Sequence, residues 1–349
     1  MKALNLLTVL TGFVVWGCTP QTTIDNDTLT SGWQPDILGD GFELRYVDQG
    51  TDYSGRVRST IIRLDSPCGD SLRRGVLYVH GYNDYFFQKE MAERFVDSCY
   101  SFYAVDLRKY GRSIMPGQRM FEVRDIKEYY ADIDSALSEM KNNGIDSVTM
   151  IGHSTGGLTT ASYINDRQPA QVKRLILNSP FLDWNMSPFM ENVLVPAVAS
   201  IGKLIPDISI KQPQDSMYSQ SLLQSGFGNW TYNTDWKVVK PRPVTSGWLN
   251  AINSAQNKLQ KGADIKIPIL LMHSDKSYSG ADTAGIKRAD IVLDIKDMER
   301  YGPRLGADVR LITVTDGIHD LILSQPAPRE KTYQTLFSWL ESVNFDDSK

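Results

Sequence analysis

The strongest constraint on how this chain folds is an alternation that begins at residue 42. Short apolar, β-prone runs take turns with longer stretches of helical periodicity. FELRYVD and RVRSTIIRL read as an opening strand pair, GVLYVHG as a buried strand, FFQKEMAERFVDS as an amphipathic helix and SFYAVDL as the next strand. IKEYYADIDSALSEMKNNG then reads as a long helix closed by a glycine, followed by the strand SVTMI, the helix LTTASYIND and the strand VKRLILNSP. Strands apolar on both faces and joined by helices specify a mostly parallel sheet covered on both sides, an α/β architecture. The alternation lapses at about residue 183 and resumes with IKIPILLMHSD, residues 265–275, then DVRLITVTDGIHD and a last helix, REKTYQTLFSWLESV. Residues 41–182 and 263–349 thus form the core, and 183–262, rich in aromatics, Met and Pro, form an insertion. An insertion between two sheet strands sits at one end of the sheet, so it is expected to cap the strands' C-terminal edge. Its Gly202, Pro206, Pro213, Gly226 and Gly228 permit hinges.

Within this series one turn carries a chemical signature. MIGHSTGG, residues 150–157, places Ser154 between glycines where a strand passes into a helix. Strand, sharp turn and helix form the context in which Gly-x-Ser-x-Gly lifts a serine clear of the sheet edge as a nucleophile elbow. Gly152 and Gly156 are expected where neighbouring backbone passes too close for a side chain.

The chain of 349 residues has a formal net charge of -4 and no long Lys/Arg run, which argues against a nucleic-acid partner. Its first eighteen residues stand apart: Met1-Lys2, an apolar stretch from Leu6 to Trp16, then Gly17-Cys18. The apolar stretch is too short to span a membrane and reads as an export signal over residues 1–18. A small residue followed by cysteine is similar to the lipobox of bacterial lipoproteins, which makes Cys18 the expected lipidation site and mature N-terminus. The expected location is then the bacterial outer membrane or periplasm, with a plain cleaved signal and secretion as the alternative. Residues 19–40 are polar and turn-rich, suiting a tether. Cys68 and Cys99 remain as a pair that an oxidising compartment would allow to bridge, the alternative being two buried thiols.

A serine hydroxyl needs a histidine to take its proton, and the histidine a carboxylate to fix its tautomer. Where an elbow of this kind carries a triad, the acid and then the histidine follow the serine along the chain. The chain has four histidines. His80 and His153 precede or adjoin the serine, which leaves His273 and His319. His319, in the loop DGIHD past an apolar strand and before the final helix, is the expected base. His273 ends its own strand, where a structural role is expected. The acid should follow the strand IPILLM, and both Asp275 and Asp290 do so. The oxyanion needs two N–H donors, expected from Thr155, after the serine, and from Tyr82, after the strand ending in His80-Gly81.

YVHGYND, AVDLRKYGRS, IGHSTGG, ADIVLD and GIHD, in that order, resemble the monoacylglycerol lipase and lysophospholipase branch of the α/β-hydrolase fold, also grouped with the serine aminopeptidases. The resemblance covers roughly residues 70–340 and extends to the insertion, which is similar to that family's helical cap, or lid. It implies carboxylic ester hydrolysis through an acyl-enzyme, with Ser154 as nucleophile and His319 as base, and without metal or cofactor. In that family the acid stands in an A-D-x-x-x-D-like stretch about thirty residues before the histidine; Ala289–Asp294 matches, and Asp290 lies 29 residues before His319, so the resemblance implies Asp290 as the acid that orients it. The segment from Ser274 to Arg288 departs from the pattern and puts Asp275 where many relatives keep the acid. The implied substrate is a small lipid or ester, either a lysophospholipid or a monoacylglycerol, with short-chain esters close behind. An amidase or peptidase of the same fold would need an acid in the cap for a free amino terminus, and Glu191, Asp207, Asp215 and Asp235 are available. A surface lipoprotein that keeps the fold as a binding module is the reading from outside enzymology.

Overall fold

The computed structural model describes residues 29–66, 68, 73–213 and 215–343. The expected signal segment with Cys18, and residues 19–28 of the expected tether, lie outside the described residues. The strands are, in chain order, Gln34–Pro35 (β1), Glu43–Asp52 (β2), Gly55–Leu64 (β3), Arg74–Val79 (β4), Ser101–Asp106 (β5), Ser147–His153 (β6), Val172–Asn178 (β7), Ser209–Ile210 (β8), Val244–Thr245 (β9), Ile269–Ser274 (β10) and Val309–Val314 (β11). β8 and β9 pair with each other; the rest form one nine-stranded sheet in the order β1-β2-β3-β5-β4-β6-β7-β10-β11. The edge from β1 to β5 is antiparallel, and every pairing from β5 through β4 to β11 is parallel.

All seven residues of β6 are buried, as expected of a strand covered on both faces. Because successive side chains point to opposite faces, Met150, Leu175 and Leu271 enter one core while Ile151, Ile176 and Leu270 enter the other. The first core is closed by Tyr130–Asn142 (α2), Thr155–Arg167 (α3) and Ser246–Gln260 (α6). The second is closed by Lys89–Asp97 (α1), through Met91 and Phe95, and by the last helix, Pro326–Ser342, through Tyr333, Leu336 and Trp339. Among the described residues no helix is long and apolar enough to cross a membrane.

Three expectations about organisation are refined. The segment expected as a tether over 19–40 is seated from Leu29 onward: Leu29 is buried, Ser31 N–H donates to Tyr46 O at 3.2 Å, and β1 joins the sheet edge. Asp36 goes further in, its two carboxylate oxygens accepting from Arg112 Nε at 2.6 Å and Nη2 at 2.9 Å. Polar composition misleads here because the buried aspartate has a buried partner 76 residues away. The insertion is also shorter than 183–262. α6 buries Trp248, Ile252, Ala255 and Leu259 in the sheet core, so it belongs to the core layer and the insertion ends near β9. The insertion proper carries Val195–Gly202 (α4), Met217–Leu222 (α5) and the β8–β9 pair. Gly202, allowed above as a hinge, is a close-packing position, since a Cβ there would collide with the Ser246 carbonyl at the start of α6. Finally, Cys68 and Cys99 are joined in a disulfide with their Cα atoms 5.5 Å apart.

Candidate active site

Ser154 stands between β6 and α3 with φ 53° and ψ -119°, a left-handed conformation that a non-glycine residue adopts only when its surroundings impose it. The surroundings are visible. Ser154 N–H donates to Asn178 O at 3.0 Å, and its own carbonyl accepts from Gly157 at 2.9 Å and Phe181 at 3.0 Å. A Cβ on Gly156 would collide with the carbonyls of Val79 and His80, and one on Gly152 with Thr160 and the Gly156 backbone. A Cβ on Gly81 would come within 3.1 Å of Ser154 Cβ, so the loop after β4 lies directly against the serine.

His319 lies in the loop after β11 and is 3 % exposed. Its Nε2 is 3.0 Å from Ser154 Oγ and its Nδ1 is 2.8 Å from Asp290 Oδ2. A carboxylate accepts only, so Nδ1 bears the proton and Nε2 is free to accept from the serine hydroxyl. Asp290, fully buried, is fixed by the N–H groups of Val292 and Leu293, each donating to Oδ1 at 2.8 Å. Asp275 is elsewhere: its Oδ1 accepts from Asp316 N–H at 3.0 Å and its Oδ2 is 3.4 Å from Lys276 Nζ. The extra segment after β10 explains the arrangement. Asp290 N–H donates to Lys276 O at 2.9 Å and Tyr278 N–H donates to Asp290 O at 2.8 Å, so residues 277–290 leave the end of β10 and return to it. Asp290 thereby reaches the site although it comes late in sequence. His273 is buried with Nδ1 2.6 Å from Ser274 O, and His80 receives the Leu107 N–H at Nε2, 3.1 Å; neither touches Ser154.

Ser154 and His319 open onto a cavity of about 720 Å³ that Tyr82 and Thr155 also line. Its walls are mainly apolar, among them Phe181, Trp184, Met190, Leu194, Trp248 and Leu249, drawn from both the core and the insertion. Of the four acids considered for an amine-binding role, Asp215 lines this cavity. Asp207 is paired with Arg124 at 2.9 Å, Glu191 faces Asp183, and Asp235 is exposed.

Several residues beside the cavity escaped sequence reading. Lys237 of the insertion is buried, with Nζ donating to Asp84 Oδ1 at 2.9 Å. The Tyr218 ring of α5 packs edge-on against the His319 ring, centroids 5.6 Å apart, and burial, followed by Asp320, raises its hydroxyl well above the ordinary tyrosine pKa. His153, between Gly152 and Ser154, is buried against His319, and burial lowers its pKa. Spacing carries no signal for these contacts, since Lys237 and Asp84 lie 153 residues apart. Asp84, His153 and Asp320 bring potential metal-ligand atoms within 4.8 Å of one another. The Lys237 ammonium already supplies a positive charge there, and Asp320 is engaged by Asn178 Nδ2 at 2.7 Å, so a metal ion fits this set poorly.

A nine-stranded, mostly parallel sheet with a serine at the β6–α3 elbow and a histidine on the loop after β11 defines an α/β-hydrolase. Within that class the chain belongs to the serine aminopeptidase, S33 family, whose profile matches residues 70–326. Comparison with curated protein sequences gives no match. Among solved structures, the monoacylglycerol lipase of Paleococcus ferrophilus is similar at 21 % identity and TM-score 0.60, over 81 % of this chain and 98 % of that one. A soluble variant of monoglyceride lipase from Saccharomyces cerevisiae, in complex with a substrate analog, is similar at 16 % identity and TM-score 0.62, over 88 % and 99 %. An esterase from Exiguobacterium antarcticum is similar at 19 % identity and TM-score 0.53, over 84 % and 99 %. At these identities the likeness is one of fold.

Proposed function

We propose that this hydrolase cleaves carboxylic esters through an acyl-enzyme, and that its substrate is a monoacyl lipid, a lysophospholipid or a monoacylglycerol. The observation that carries the reading is the Ser154–His319–Asp290 hydrogen-bonded chain opening onto a large, mainly apolar cavity. In this mechanism Ser154 Oγ attacks the ester carbonyl as His319 Nε2 takes its proton, and Asp290 stabilises the imidazolium. The amides of Thr155 and Tyr82 receive the oxyanion, each donor contributing about 3 kcal/mol. The imidazolium then protonates the departing alkoxide, and water activated by the same imidazole releases the fatty acid. The similar structures of a monoacylglycerol lipase and a monoglyceride lipase support the substrate class.

The front of the insertion supports a lipid substrate as well. Phe189, Val193, Ile201, Leu204, Ile205 and Ile208 are exposed next to Met190 and Leu194, which line the cavity. An apolar surface continuous with an apolar cavity suits a substrate that arrives from a lipid phase, and residues 186–210 act in this reading as a lid. Export with Cys18 as lipid anchor completes it, supported by the Cys68–Cys99 bridge, since such bonds persist in oxidising compartments.

The test is hydrolysis of lysophosphatidylcholine, monooleoylglycerol, a short-chain nitrophenyl ester and an aminoacyl anilide by the protein and by Ser154→Ala. Lipid turnover that falls by several orders of magnitude in the alanine variant is the expected result. Cleavage of the anilide alone would turn the assignment to an amidase, with Asp215 at the cavity as the group to hold a free amine. Rates equal to those of Ser154→Ala on every substrate would leave a binding module.

A further inference from the structure

The insertion has two parts with different surroundings. Residues 186–210 present exposed apolar side chains, whereas the stretch from α5 to Val239 is knitted into the loop that follows β4. That loop, residues 80–88, contains the Tyr82 amide assigned above to the oxyanion. Gln212 Nε2 donates to Tyr82 Oη at 3.0 Å. Asn83 makes a two-way contact with a single residue of the insertion: its Nδ2 donates to Val238 O at 2.9 Å and its Oδ1 accepts from Val238 N–H at 2.8 Å. Next to it is the buried Asp84–Lys237 pair at 2.9 Å. Then Tyr85 Oη accepts from Asn233 N–H at 2.7 Å, and the Tyr85 and Phe87 rings pack on Trp236 and Tyr232 at 5.2 Å each.

Four successive residues of one loop are thus held from the insertion, by contacts that neither side can satisfy alone. Asn83 has φ 49°, so its backbone keeps a left-handed turn one residue past Tyr82. The Asn83 amide, clasping both the N–H and the C=O of Val238, fixes that turn's position as well as its shape. Lys237 and Asp84 are both buried, and removal of either leaves the other charged and without its partner. Opposite the insertion the loop is held from the core: Phe86 N–H donates to Asp106 Oδ1 at 2.8 Å and Phe86 O accepts from Arg112 Nη1 at 3.0 Å. The same small apolar cluster includes Ile318, the neighbour of His319. The rear of the insertion therefore bridges the loop bearing an oxyanion donor and the loop bearing the base.

We propose that residues 232–239 serve as a fixed bracket for the oxyanion loop, with Lys237 and Asn83 as positioning residues that hold the Tyr82 amide where charge develops in the transition state. Resting on the esterase reading above, this adds that part of the insertion acts on kcat rather than on admission of substrate. The Lys237 ammonium needs no contact with substrate for this role. Its effect passes through Asp84 to the backbone two residues earlier. Donor placement matters steeply: loss of one oxyanion donor costs about 10²–10³-fold in kcat, and a displacement of about 1 Å costs on the order of 10²-fold.

The experiment compares Lys237→Met and Asn83→Gly with the unsubstituted full chain, on nitrophenyl acetate, whose acyl group is too short to engage the apolar walls. Glycine accepts a left-handed φ, so Asn83→Gly removes the clasp on Val238 and leaves the turn allowed. Thermal melting establishes that each variant is folded. The expected result is a fall in kcat of about ten- to hundredfold with KM within about twofold, and an equal loss of affinity for an alkyl boronic acid, which binds as a tetrahedral adduct. A purely structural role would lower the melting temperature without this kcat and boronate signature, and that outcome overturns the proposal. A rise in KM with kcat intact overturns it too, by making Lys237 a substrate contact. If Lys237→Met does not fold, Asn83→Gly decides by the same readings. Absence of Ser154-dependent hydrolysis in the unsubstituted protein sinks the esterase reading and the bracket with it, whereas normal kcat in both folded variants sinks the bracket alone.

Discussion

Replacing Asp36 by alanine should destabilise the protein by about 2–4 kcal/mol, although composition alone places this residue in a polar linker. The Arg112 guanidinium lies between two carboxylates, Asp36 and Asp106, with all three side chains at most 1 % exposed. Asp36 takes two of its hydrogen bonds, at 2.6 and 2.9 Å, while Asp106 Oδ2 and Phe86 O share Nη1 at 2.9 and 3.0 Å. The alanine removes two charge-assisted bonds to Arg112, worth about 1.5–3 kcal/mol each, and the local bond from Leu38 N–H to Oδ1 at 3.0 Å. It also relieves the repulsion between two carboxylates around one cation, and Asp106 still neutralises Arg112. The result should therefore fall below the sum of the two bonds and below the cost of a fully orphaned charge, about 3–5 kcal/mol. Denaturant unfolding followed by tryptophan fluorescence measures the change, and Asp40→Ala is the internal reference. Asp40 pairs with Lys89 at the surface, with its own side chain 77 % exposed, so its loss should leave the unfolding midpoint nearly unchanged. Equal, small changes in both variants would refute the seating of the N-terminal segment. A chain starting at residue 41 should lose at least as much as Asp36→Ala.

Asp290→Asn should lower kcat by about 10⁴-fold because it removes the acceptor that fixes the His319 tautomer, while Asp275→Asn should leave esterase activity near normal; steady-state rates on a nitrophenyl ester separate the two. Asp297 has its pKa raised to about 7 by burial and by the neighbouring Asp183, Asp294 and Glu191. An acid whose folded pKa exceeds its unfolded one binds more protons when folded, so stability falls as pH rises from about 4 to about 7. Asp297→Asn should accordingly raise stability at pH 8 by on the order of 1 kcal/mol, screening discounted, and leave it unchanged at pH 4, as read from denaturant midpoints. Phe189 and Leu204 are 66 % and 83 % exposed on the front of the insertion, and Phe189→Ser with Leu204→Ser should cut turnover of monooleoylglycerol in vesicles several-fold without changing nitrophenyl acetate hydrolysis.

The parts of this fold legible in the sequence are those whose reasons are local. β6, the Ser154 turn and α3 follow from an apolar run, two glycines and a helical stretch within about twenty residues, and the same backbone proximity that excludes side chains at Gly152 and Gly156 is visible in the structure. His319 could be singled out because few histidines exist and one follows an apolar strand. The carboxylate that meets His319 is less legible. Asp275 and Asp290 both follow β10, and what separates them is the pairing of Lys276 and Tyr278 with the Asp290 backbone, which no spacing rule anticipates. The seating of Asp36 on Arg112 and of Asp84 on Lys237 was not legible, because a buried charge is recognised by its partner and these partners are 76 and 153 residues away. α6 falls inside the aromatic-, Met- and Pro-rich stretch 183–262, and composition does not separate a cavity wall from a core for its Trp248 and Leu249. They serve as both.

The division of the insertion bears on how readily this scaffold acquires new preferences. Residues 186–210 line one side of the cavity while presenting much of their surface outward, whereas 232–239, which reach the cavity at Lys237 and Val239, are bonded to the loop after β4. Random variation confined to the first stretch should yield many active proteins that differ in chain length accepted. The same variation in the second should yield few, and survivors there are expected to carry matching changes among residues 82–87. Diversification and constraint thus occupy neighbouring halves of a single insertion, so substrate range can drift while the rate-setting geometry is kept.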